Sequence, residues 1–127
     1  MDLFDRVSRF ANQFSDLIGE LADDVRAHVE LGAALLERGD YDAAIAELGL
    51  AILKRRDHAR ARYLLGLCYL RRGQPGDAAE AKREFALALA AREGYAEAQI
   101  AFADALRQGG ELEQAAESYR LALPLIA

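Results

Sequence analysis

The 127-residue sequence contains no Thr, no Trp, one Cys, one Met, two Pro, two His and three Ser. Each scarcity excludes something. The lone Cys68 has no intrachain partner for a disulfide, and with His28 and His58 thirty positions apart and no second thiol, a structural zinc site has no ligand set. Ser8, Ser15 and Ser118 lie in no strand–turn–helix elbow, so nucleophilic catalysis lacks its parts. No patterned set of residues points to a cofactor, and the expectation is a protein that is not an enzyme. Basic charge is also short: 16 Lys and Arg stand against 21 Asp and Glu, giving a net charge of −5 and disfavouring general binding to phosphate backbones. The longest uncharged apolar stretches, Tyr63–Leu70 and Phe85–Ala91, fall far below the roughly 20 residues of a spanning helix. The N-terminus shows no basic region followed by an apolar core, so a cytoplasmic location is expected.

What the chain has in excess is Ala, with 27, and Leu, with 20, a composition that favours packed helices. These residues repeat. Leu31-Gly32-x-x-Leu35 recurs 34 positions on as Leu65-Gly66-x-x-Tyr69, and again 37 positions later as Phe102-Ala103-x-x-Leu106. The extra three residues fall in the middle turn, between Gly73 and Ala81. A second pattern follows each first one: Ala44-x-x-x-Leu48-x-x-Ala51, Ala81-x-x-x-Phe85-x-x-Ala88 and Ala115-x-x-x-Tyr119-x-x-Ala122. Spacings of four and three place two small residues and one large residue on a single helical face. Gly32 and Gly66 inside helices call for close packing, because an interior glycine costs about 1 kcal/mol relative to alanine.

Residues 25–127 resemble three tetratricopeptide repeats, divided as 25–58, 59–95 and 96–127. The resemblance implies an all-α solenoid of antiparallel helix pairs, with helices near 25–38, 41–55, 59–72, 76–92, 95–108 and 111–125. Three features depart from the family pattern: Ala103 replaces the glycine, the early aromatic of the first helix is His28, Arg62 or Gln99, and the closing proline is missing. Gly39, Gly73 and Gly109-Gly110 are expected to stop first helices, and Gly94 the fourth. Pro75 suits a first helical turn, and Pro124 should terminate or kink the last helix.

Residues 1–24 form a separate unit in this reading. Leu3, Val7, Phe10, Phe14, Leu17 and Leu21 alternate spacings of four and three, and Phe4 and Ile18 widen the stripe, which predicts one amphipathic helix preceding the solenoid. A helix of this length needs a partner for its apolar face. Four are open: the end of the first repeat, the repeat groove, a second copy, or a membrane surface. Leu3-Phe4-Asp5-Arg6-Val7-Ser8-Arg9 resembles the opening of the phage-shock protein A family, whose N-terminal amphipathic helix is membrane-associated. Against lipid stands the charge of this segment, where Asp2, Asp5, Asp16, Glu20, Asp23 and Asp24 outnumber Arg6 and Arg9.

In tetratricopeptide folds the first helices line a concave surface. The resemblance assigns to it Arg26, Val29, Glu30, Ala33, Leu36 and Glu37 from the first repeat. The second repeat contributes Arg60, Tyr63, Leu64, Leu67, Leu70 and Arg71, and the third Glu97, Ile100, Ala101, Asp104, Arg107 and Gln108. Family members that grip a C-terminal carboxylate use paired Asn and basic residues there, and this surface has no Asn. Its apolar middle suits a helical or hydrophobic segment of another protein, with Arg60, Arg71 and Arg107 setting direction. The expected function is therefore a non-catalytic adaptor. The alternative is a self-assembling or membrane-peripheral scaffold working through the N-terminal helix. The basic run Lys54–Arg62 lacks interleaved aromatics and reads as a solvated helix end rather than a nucleic-acid site. Cys68 reads as an inert buried thiol. The apolar C-terminal edge, Leu121–Ala127, calls for a cover from a second copy or a further segment.

Overall fold

The computed structural model describes residues 2–126, which are helical with no strand among them. Six helices follow in order: α1 Leu3–Arg38, α2 Tyr41–Lys54, α3 Ala59–Arg72, α4 Asp77–Ala91, α5 Ala96–Gln108 and α6 Leu112–Ile126. They pack as three antiparallel pairs, α1 with α2, α3 with α4, and α5 with α6. Each second helix also packs on the first helix of the next pair, while α1, α3 and α5 touch in sequence as an inner row.

Small residues set the pair spacing. A Cβ added at Gly32 would lie 2.6 Å from Leu48 Cγ, and one at Gly66 would overlap the Phe85 ring. Leu48 and Phe85 are fully buried, as are the flanking Ala44, Ala51, Ala81 and Ala88 of the second-helix pattern. The three extra residues of the middle repeat lie between Gly66 and Phe85 and are absorbed in the turn from α3 to α4. There Gly76, at φ 87°, takes the left-handed conformation and delays the next helix to Asp77. Pro75 thus sits in the turn and not in the first helical turn expected for it. The turn is pinned by Arg72, whose Nε and Nη2 donate to Asp77 at 2.8 and 2.9 Å, while its Nη1 reaches Asp42 on α2 at 2.8 Å. The Gln74 amide also donates to Asp77, and the Arg72 guanidinium holds that carboxyl below the usual aspartate range.

The three positions that depart from the family aromatic are filled by polar pairs within each repeat. His28 Nδ1 meets Glu47 at 2.7 Å, Arg62 donates to Glu84 at 3.0 Å, and Gln99 donates to Ser118 Oγ at 2.7 Å. Every helix pair is therefore cross-linked by hydrogen bonds at the same place.

Two further expectations change. Residues 1–24 do not stand apart: α1 is one unbroken helix from Leu3 to Arg38, capped at its start by Asp2, whose side chain accepts from the Asp5 amide at 2.8 Å. The linking Ala22-Asp23-Asp24-Val25 contains no helix breaker, and Asp24 is paired with Lys54 of α2 across the junction. The N-terminal helix consequently does not fold back over the first repeat or into the groove. At the other end, α6 runs through Pro124 to Ile126 instead of stopping at the proline.

His58 caps α3, its Nδ1 accepting from the Ala61 amide at 3.1 Å. Burial, followed by the charge of Arg55, lowers its pKa below the ordinary histidine value.

Substituting Gly66→Ala should lower stability by about 1–3 kcal/mol in urea denaturation, because the added methyl overlaps Phe85. Gly49→Ala, where nothing lies within 4 Å, should instead raise it by about 1 kcal/mol. Equal shifts for the two variants would contradict the packing. The His58 cap needs the neutral ring, so its contribution is complete above pH of about 6.5, the unfolded value, and is lost as pH falls through the lowered folded value. The melting temperature should therefore drop less between pH 7.5 and 5.5 in His58→Asn, which caps without titrating, than in the unmodified chain.

Candidate functional site

The inner row divides the expected groove residues into three groups. Val29, Leu36 and Leu64, only 2%, 4% and 8% exposed, belong to the core and present nothing to a ligand. Their burial follows from the direct contact of α1 with α3, which closes over the side chains between them. Ala101 is buried for the same reason, where α5 meets α3.

The second group is half-buried: Ala33, Tyr63, Leu67, Leu70, Ile100 and Asp104. Tyr63 is mainly a packing residue, its ring 6.1 Å from Phe85 and 5.4 Å from Tyr95, and burial raises its pKa. Leu67 rests on the core of the first repeats and on that around Phe85 and Ala101, so it joins the two. Leu70 packs on the latter only.

The third group is charged. Arg60 is bound to Glu30 across the inner row, and Arg107 lies 3.7 Å from Asp104, which also accepts from the Tyr119 hydroxyl. Arg71 has no ion-pair partner among the described residues and is exposed. Of the three arginines expected to set a ligand's direction, Arg71 alone is uncommitted.

A second apolar surface lies on the N-terminal half of α1. Leu3, Phe4, Val7, Phe10, Phe14, Leu17, Ile18 and Leu21 form the expected stripe, and each is between 47% and 76% exposed. Phe10 and Phe14 stack along the helix with centroids 6.4 Å apart. At the foot of this stripe is a pocket of about 450 Å³ between α1 and the α2–α3 junction. Ile18, Leu21, Ala22 and Val25 form its apolar wall, and Arg26, Lys54, Arg55 and His58 its rim. Of this wall, Ile18 and Leu21 belong to the stripe expected from the sequence; Val25 and the meeting with residues 54–58, thirty positions away, were not expected.

The remaining candidates have structural roles. Cys68 is fully buried, and desolvation pushes its thiol pKa up to about 11, so it carries little thiolate at neutral pH. In the basic run, Lys54 is paired with Asp24, Arg55 with Asp57, Arg60 with Glu30 and Arg62 with Glu84. No helix among the described residues is long and apolar enough to cross a membrane.

Residues 35–79 match the family model described as tetratricopeptide repeat. A comparison with curated proteins gives no match. Among solved structures, the second tetratricopeptide domain of Spaghetti (RPAP3) bound to the HSP90 peptide SRMEEVD superposes with a TM-score of 0.75 at 20% identity, over 80% of this chain and 92% of that one. The first such domain of the same protein, bound to the same peptide, gives 0.75 at 22% identity, over 81% of this chain and 79% of that one. A point mutant of MamA gives 0.72 at 25% identity, over 81% and 73% respectively. Residues 35–79 are thus similar to a tetratricopeptide repeat, and the six helices together share the helix-pair solenoid fold of these structures.

Proposed function

We propose that the chain is a non-catalytic protein-interaction adaptor that receives a helical or hydrophobic segment of another protein on its inner row. The observation that carries this reading is that Leu67 and Leu70 of α3 and Ile100 of α5 are only half-buried on adjoining inner-row helices, with the uncommitted Arg71 next to Leu70 in sequence. An amphipathic helix laid there would bury apolar anchors at intervals of three and four, with an acidic residue against Arg71. The two Spaghetti domains, which hold a peptide on the same fold, support the general role. Their ligand's acidic character is not a guide here, because Arg60 and Arg107 already have acid partners and the groove has no Asn.

The exposed apolar face of α1 favours a second reading, a scaffold that assembles or attaches through this helix. Its acidic balance, six carboxylates against two arginines in residues 1–24, would be repelled by anionic lipid.

Peptides selected from a displayed library by the chain should be amphipathic helix formers, and fluorescence anisotropy should show Ile100→Asp weakening them at least tenfold, about 1.4 kcal/mol. Arg71→Glu should act selectively on peptides with an acid near one end. Leu67→Asp is less informative, since Leu67 also joins two parts of the core. Undiminished binding by Ile100→Asp with unchanged helicity would refute the groove.

A further inference from the structure

We infer that the projecting half of α1 pairs with the same segment of a second copy, antiparallel, about a two-fold axis level with residue 12. This inference rests on the second reading above and specifies its occupant. The stripe has the spacing of a coiled-coil seam, with Leu3, Val7, Phe10, Phe14, Leu17 and Leu21 as its core positions. Either flank has a distinct character. Phe4, Ala11 and Ile18 follow one another at intervals of seven along one side, and Arg6, Gln13 and Glu20 along the other.

An antiparallel two-fold pair sets each flank against its own copy. In the register that places Leu3 opposite Leu21, Val7 falls opposite Leu17 and Phe10 opposite Phe14, so every layer is apolar. The same register brings Arg6 against Glu20 of the second copy, twice, with Gln13 facing Gln13 between them. On the other flank Phe4 meets Ile18 of the second copy, and the small Ala11 meets Ala11 beside the phenylalanines at the axis. A single choice of register therefore satisfies the core, the charges and the residue sizes together.

A parallel pair would also stack the six apolar seam residues, each on its own copy, but it fails on the charges. It would set Arg6 beside Ala11 and Glu20 beside Val25 of the other copy, leaving the charges unmatched. It would also bring Asp24, the next seam position after Leu21, against Asp24.

The pocket at the foot of the stripe agrees with the antiparallel arrangement. Ile18, Leu21 and Val25 line it on the flank that carries Phe4, Ala11 and Ile18. The start of the second helix ends there, and Phe4 of the second copy is the side chain that reaches it. A seam of under three heptads is weak by itself, and burying Phe4 in this cavity of about 450 Å³ adds the apolar contact it lacks.

The test uses the full chain in sedimentation equilibrium between 1 and 200 µM. The unmodified chain should dimerise, and Arg6→Glu and Glu20→Arg should each raise the dissociation constant at least tenfold. Their equimolar mixture should recover a heterodimer, because at both ends a carboxylate of the first variant then faces a guanidinium of the second; circular dichroism checks that each variant stays helical. Phe4→Ala should weaken the dimer without altering this charge specificity. A chain monomeric throughout the range, or a dimer indifferent to both charge variants, overturns the proposal. So does flotation of a monomeric chain with vesicles of neutral and anionic phospholipid, an outcome that would give the face to a membrane and leave the second reading standing.

Discussion

The distance between the two helices of a repeat governs the rest of this structure. Gly32 lies beneath Leu48 and Gly66 beneath Phe85, with no room for a methyl group at either place. The large residue fills the space left by the missing side chain, and the alanines four before and three after it let the helices lie close along their length. In the third repeat Ala103 takes the glycine's place and is fully buried. There the large residue, Tyr119, is only half-buried and directs its hydroxyl to Asp104 of α5. A larger residue at the close-contact position accompanies a partner that has turned toward the polar edge.

Close packing alone leaves the helices free to slide, and the polar pairs remove that freedom. His28–Glu47, Arg62–Glu84 and Gln99–Ser118 occupy equivalent positions in three repeats by three different chemistries. The middle pair is more enclosed than the first, its side chains 14% and 7% exposed against 23% and 26%, and none of the buried side-chain nitrogens or oxygens described lacks a partner. Charges at this depth are tolerated because each is met within the repeat. Removing one partner would strand the other, whereas a well-packed apolar pair could replace both at small cost.

The helix pairs were legible in the sequence because their determinants are local: a 34-residue period, small residues at fixed spacing and glycines at the turns. All six helices end within about two residues of the positions that spacing implies, apart from the start of α1. The groove was less legible. Val29, Leu36 and Leu64 have the spacing expected of the inner face, yet they are buried in the core where α1 and α3 meet, and that contact belongs to no single repeat. The continuity of α1 was hidden for a different reason. A change from a seven-residue stripe to a 34-residue repeat reads as a boundary, but the backbone registers no boundary unless a residue breaks the helix, and Ala22-Asp23-Asp24-Val25 does not.

That continuity ties the two apolar surfaces together. The segment from Leu3 to Leu21 and the inner-row segment from Val25 to Leu36 are parts of one helix, held to α2 at Asp24 by Lys54 and to α3 at Glu30 by Arg60. A helix without Pro or a π-bulge transmits orientation over its whole length, here 36 residues or about 54 Å. Anything that fixes the projecting half therefore fixes the direction in which the inner row faces. In an antiparallel pair the two solenoids would lie at opposite ends of the shared segment, related by the two-fold axis, with both grooves free. The proposed assembly through one half of α1 and the proposed binding of a segment beside the other are thus compatible in the same molecule, and in such a pair the helix would set the distance between the two inner rows.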